Sequence, residues 1–142
     1  MNFGLSPMLV DDHKNAGLNS GVMMPQYSAA SLVLENQTLA TPDSIRSLPT
    51  SAGQEDHNAN AMTASRHAYE IINNLKYILS IEIYTAARGI HLRKKMQDGK
   101  LGSGTERIFN LINKQIPYRP GDCVWMEEIE KVHDMINKRE LA

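Results

Sequence analysis

The sequence predicts an all-α fold, a segment of a long-helix bundle that needs helices from elsewhere. Three observations lead there. Apolar residues recur at three- and four-residue spacing over about 19–39, 52–93, 105–116 and 124–139. No run alternates apolar and polar residues as a half-buried strand would. The second stretch is also far too apolar around its circumference for the surface of a small protein.

Taken in order, residues 1–18 are rich in Gly, Pro and Asn and hold no periodic segment, so they resemble the tail of a preceding structure. Asn19 to Leu39 carries Val22, Met23, Tyr27, Ala30 and Leu34 at helical spacing, with Asn19 or Ser20 as N-cap. Pro25 falls in the first two turns, where a missing N–H is tolerable. Thr41-Pro42-Asp43 predicts one short turn ending before Pro49. Ser51 and Gln54 have capping-box spacing and are expected to open the long helix, which runs to about Arg93. Ile71, Leu75, Ile78, Leu79, Ile83, Ala86, Ala87 and Ile90 cover most of its circumference, interrupted by Glu82, Thr85 and Arg88. Ser103-Gly104-Thr105-Glu106 is a second capping box, before Ile108, Leu111 and Ile112. Val124 to Arg139 closes the chain with Ile129, Val132, His133 and Ile136 on one face.

A helix of about 30 residues makes a rod of roughly 45 Å. A compact domain of this length has a radius of gyration of only about 14–15 Å. The rod overhangs its own domain, and its apolar surface, at about 25 cal/mol per Å², has to be covered. Residues 1–142 are therefore expected to form a single segment of a multi-chain bundle or of a larger molecule.

The bulk composition excludes several classes. A net charge of −1 with 22% charged residues gives no basis for binding nucleic acid or an anionic membrane. No apolar run reaches the roughly 18 residues needed to span a bilayer, and the N-terminus lacks a signal-peptide layout. The lone Cys123 excludes an internal disulfide and points to a cytoplasmic setting, and no basic neighbour marks it as reactive. No His-Glu-x-x-His or cysteine pair is present, so no metal is expected.

The densest polar chemistry is Gln54-Glu55-Asp56-His57. Neighbours on a helix point about 100° apart, so the four cannot share one ligand. Glu55 lines a cavity on one reading. On the other, favoured by the residues alone, carboxylates gather in a first turn because the macrodipole stabilises each by about 0.3–1 kcal/mol. Glu82 suits an interhelical ion pair or hydrogen bond better than catalysis, and His133 suits core packing better than ligation. Met23 and Met24 read first as core.

The words Gly17-Leu18-Asn19-Ser20-Gly21-Val22-Met23, Ser47-Leu48-Pro49-Thr50-Ser51-Ala52-Gly53-Gln54-Glu55-Asp56-His57 and Leu92-Arg93 resemble, in order and spacing, the C-terminal part of the aromatic amino acid ammonia-lyases, and are histidine ammonia-lyase-like in particular. Leu101-Gly102-Ser103-Gly104-Thr105 resembles the loop before that family's closing helices. The resemblance implies a mostly helical, fumarase/aspartase-like homotetramer whose active sites draw on three subunits. It implies a methylidene-imidazolone (MIO) electrophile made from an internal Ala-Ser-Gly, and elimination of ammonia to an α,β-unsaturated acid, urocanate in the case of histidine catabolism. Glu55 matches the glutamate beside the substrate, which either hydrogen-bonds the imidazole or serves as the acid–base group. Gln54 matches an amide that orders the site, and Met23 a methionine of the pocket wall. An N-terminal lyase portion or homologous subunits are the implied partners, and an aromatic amino acid the substrate.

The departures matter equally. Gly53 stands where the family usually has Asn, and Asn58-Ala59-Asn60 replaces its usual Val-Ser-Met. No Ala-Ser-Gly occurs in the chain. The MIO ring is therefore expected from an N-terminal portion that this sequence lacks, and the chain alone is expected to be inactive. Two other functions compete: a non-catalytic helical oligomerisation protein or remnant, and part of an aromatic aminomutase.

Overall fold

The computed structural model describes residues 4–11 and 17–141. Among them lie four α-helices and no β-strand: α1 Met23–Leu39, α2 Ala61–Met96, α3 Ser103–Gln115 and α4 Trp125–Asn137. The all-α expectation is met.

Two helix starts differ from the sequence-based boundaries, for physical reasons. Helix α1 begins at Met23 rather than residue 19 because the amides of Ser20 and Gly21 are bound by the Asp122 carboxylate at 2.7 and 2.8 Å. Gly21 has φ +57°, and a Cβ there would lie 2.1 Å from the Met8 carbonyl oxygen, so only glycine fits. Pro25 is the third residue of α1 and is buried, where its missing N–H costs nothing.

Helix α2 begins at Ala61, not residue 52, so the expected Ser51–Gln54 capping box does not open it. Residues 51–60 are irregular. Ser51, Ala52 and Asn60 take positive φ, and Ser51–Gly53 makes only an isolated 3-10 turn. Ser, Asn, Asp and Gly offer the backbone non-helical hydrogen bonds, and here they outcompete helix propagation. The Asp43–Arg46 turn after Pro42 is the short turn expected before Pro49. Helix α3 starts at Ser103 with no side-chain cap, so its capping box is also unformed; Gly102 supplies the first carbonyl acceptor, to the Glu106 amide at 2.9 Å.

Helix α2, at 36 residues, is about 54 Å long and divides into two unlike halves. Its C-terminal half buries Ile81, Tyr84 and Ala87 against Phe109, Ile112 and Ile116 of the α3 region and Ile129, Val132 and Met135 of α4. Val132 and Met135 are sealed at 0% and 1% exposure. Its N-terminal half, residues 61–79, contains no buried residue and exposes Met62, Tyr69, Ile72, Leu75 and Leu79. Helix α1 packs along α2 but also exposes Tyr27, Val33 and Leu34. No helix among the described residues is long and apolar enough to cross a membrane.

Candidate functional site

The expected site residues sit on two separate supports. Met23 is the first residue of α1 and is half-buried. Gln54, Glu55, Asp56 and His57 are all exposed, on the irregular connection before α2. The expectation of polar groups in a first helical turn is thus corrected: these residues precede the helix, and the macrodipole does not account for them.

The connection has a defined shape. Thr50 and Glu55 form a two-residue antiparallel bridge, the Thr50 amide donating to the Glu55 carbonyl at 2.9 Å and the Glu55 amide donating back at 3.3 Å. Between them the chain reverses through Ser51, Ala52 and Gly53, all at positive φ. Non-glycine residues in that region cost about 1–3 kcal/mol each, so surrounding bonds must hold them. At the base, His67 Nδ1 lies 3.3 Å from the Asp43 carboxylate without hydrogen-bond alignment.

Open cavities of about 860, 440 and 350 Å³ lie along α2, and none of these three is lined by Met23, Gln54 or Glu55. The widest, about 860 Å³, is an apolar groove bounded by Leu9, Val22, Ile81 and Ile90, with Glu82 and Arg93 on its walls. Glu82 is exposed there and makes no ion pair or hydrogen bond among the described residues, contrary to the interhelical partner expected from its apolar setting.

The strongest polar constellation is one that sequence inspection missed. Arg88 is only 5% exposed. Its guanidinium donates to the carbonyls of Leu9 (3.4 Å), Arg119 (3.0 Å) and Gly121 (3.2 Å), and lies over the rings of Tyr118 and Trp125 at 5.0 and 5.2 Å. Close by, the Tyr84 hydroxyl donates to the buried Glu128 carboxylate. Burial, then that bond, drives the Tyr84 pKa far upward. Burial and the neighbouring Glu128 carboxylate also raise the Cys123 pKa. Asp11 accepts from Lys95 Nζ at 2.8 Å and from the Tyr118 hydroxyl at 2.6 Å. Burial works to raise the Asp11 pKa, but those two bonds outweigh it and hold the group low. His133 stacks on Tyr77 at 4.0 Å, as a packed core histidine does.

This constellation ties the segment at Leu9–Asp11 and the segment at Tyr118–Gly121 to α2. Among the described residues no group of acids, histidines or cysteines is arranged to hold a metal. The Gln54 amide, the Glu55 and Asp56 carboxylates and the His57 imidazole lie together, exposed, on the loop before α2.

A family model for the aromatic amino acid lyases matches residues 1–114. The chain belongs to the aromatic amino acid lyase family. It is 40% identical over 136 residues to histidine ammonia-lyase of Natranaerobius thermophilus, covering 96% of this chain and 26% of that enzyme. Its fold superposes on the crystal structure of histidine ammonia-lyase from Trypanosoma cruzi with a TM-score of 0.85, at 32% identity, over 96% of this chain and 26% of the other. Tyrosine aminomutase from Streptomyces globisporus matches with a TM-score of 0.83 and 27% identity, over 98% and 26% of the two chains. The chain thus spans about a quarter of the length of the relatives it matches.

These 142 residues contain no Ala-Ser-Gly.

Proposed function

We propose that this chain is the C-terminal part of an aromatic amino acid ammonia-lyase of the histidine type, and that it completes an active site whose electrophile lies outside these 142 residues. The observation that carries this is the 40% identity to histidine ammonia-lyases along 96% of the chain, combined with coverage of only 26% of their length. The exposed apolar face of α2 supports the same reading, because a helix carrying Tyr69, Ile72, Leu75 and Leu79 in the open calls for covering helices. An oligomer, tetrameric by family resemblance, and a cytoplasmic setting go with it.

In the elimination, a proton leaves Cβ of the amino acid, the Cα–N bond breaks, and ammonia departs as the double bond forms. Glu55 contributes a carboxylate to that cavity. Against a histidine substrate it accepts a hydrogen bond from an imidazole N–H, or takes up a proton as general base. Gln54 orders the loop beside it, and Met23 adds apolar wall. The loop's exposure in the lone chain suits a surface that becomes a cavity wall only on assembly.

The test is co-production with a polypeptide corresponding to the remaining three-quarters of the relatives, including an Ala-Ser-Gly. The pair should release urocanate from histidine, and the 142-residue chain alone should release none. Glu55→Gln should lower kcat of the pair by about 100-fold. Failure of the pair on histidine, phenylalanine and tyrosine alike would reject a lyase role and leave the oligomerisation reading. The likeness to a tyrosine aminomutase supports one alternative product, and formation of a β-amino acid would assign the chain to that branch.

A further inference from the structure

We infer that Asn58 is a positioning residue that fastens the loop carrying Gln54 and Glu55; this rests on the site role proposed above for Glu55. The loop leaves the Asp43–Arg46 turn, reverses through three residues at positive φ and returns to α2 at Ala61. Its two strands touch through the Thr50–Glu55 bridge, but a single bridge in an exposed segment closes and opens readily. Asn58 supplies the missing closure. Its Nδ2 donates to the Leu48 carbonyl at 2.9 Å and to Thr50 Oγ1 at 3.1 Å, while its backbone amide donates to Ser47 Oγ at 2.7 Å.

One side chain therefore grips both the approach to the bridge and the bridge residue itself. Thr50 is the hub: its carbonyl accepts the Gly53 and Glu55 amides, its amide donates to the Glu55 carbonyl, and its hydroxyl accepts Asn58. Asn60 adds a second fastening. Its Nδ2 donates to the Asp43 carbonyl at 3.2 Å, and its own φ of +50° turns the chain into α2. Asparagine tolerates that conformation better than other side chains do. With both ends tied, the backbone at Glu55 is set before any partner arrives, so assembly has only the side chain's rotamer left to order.

Asn58→Ala removes both Nδ2 bonds and keeps the backbone one. Amide hydrogen exchange on the 142-residue chain should show the Glu55 and Thr50 amides exchanging about tenfold faster in this variant, with the Val132 amide in α4 unchanged. Thr50→Ser keeps the hydroxyl acceptor and should stay within about twofold of the parent at Glu55. Equal exchange in parent and Asn58→Ala would overturn the fastening. In the reconstituted pair, Asn58→Ala should lower kcat/KM about tenfold, and Thr50→Ser should largely preserve it. Faster exchange with unchanged kcat/KM would overturn the positioning role. The exchange measurement needs no reaction, so it judges the fastening even where the parent pair proves inactive and the lyase reading falls.

Discussion

The two halves of α2 face opposite circumstances. From Ser80 to Leu92 the helix is walled by α3, α4 and the segment around Leu9, and every polar group it buries is bonded: Ser80 to the Lys76 carbonyl, Tyr84 to Glu128, Arg88 to three carbonyls. From Ala61 to Leu79 it lies beside α1 and the fastened loop, with large apolar side chains in the open. One half is a finished core and the other leaves large apolar side chains uncovered. The lesson is that the fold's own stability and its uncovered apolar face reside on one rod, in separable stretches.

The strongest way to break that comparison is at Arg88. Arg88→Met should destabilise the chain by about 4 kcal/mol in urea denaturation, since it leaves three carbonyls without their charged donor. A loss under about 1 kcal/mol would mean that the carbonyls are satisfied without it. Next comes a matched pair. Met135→Ala, in the sealed core, should cost about 3 kcal/mol. Tyr69→Ala, on a side chain 68% exposed, should change stability by less than about 0.5 kcal/mol but reduce self-association in light scattering. Equal costs at the two positions would erase the distinction between the halves.

The smallest effect is a pH dependence confined to the finished half. Burial, then the Lys95 charge, depresses the His91 pKa, and bonding holds Asp11 low. Both groups take up protons more readily when unfolded, so stability is present above their unfolded pKa values and is lost on acidification. The loss should begin below about pH 6.5 through His91 and deepen below about pH 4 through Asp11. Tyr84 and Tyr118 have raised values, so their contribution is present below about pH 10 and fades above it. Urea midpoints across pH should therefore form a plateau with both edges falling, and His91→Phe should flatten the upper part of the acid edge.

Much of the architecture was legible because helical periodicity is a local property. Ile129 and Val132 mark the inner face of α4 at their spacing, although Met135 rather than Ile136 is buried beside them, and the apolar girth of α2 calls for covering helices. What escaped was non-local or competitive. Arg88 looked like a break in an apolar surface, and only the fold brings the carbonyls of Arg119 and Gly121 to it. Asp122 gave no sign that it would seize the amides of Ser20 and Gly21 and delay α1. The start of α2 was misplaced because Ser51 and Gln54 have the spacing of a cap, while Asn58 offers the same backbone a better set of bonds. For the candidate site, the Gln54–His57 word stood out in the sequence, but its place on a loop ahead of the helix did not.

The bonds from Ser20 and Gly21 to Asp122 join residues 102 and 101 positions apart. During synthesis the opening of α1 therefore has no lock until Asp122, about a hundred residues further on, has left the ribosome. Loss of the last twenty or so residues, from the Pro120–Asp122 corner onward, would undo the beginning of the fold as surely as its end.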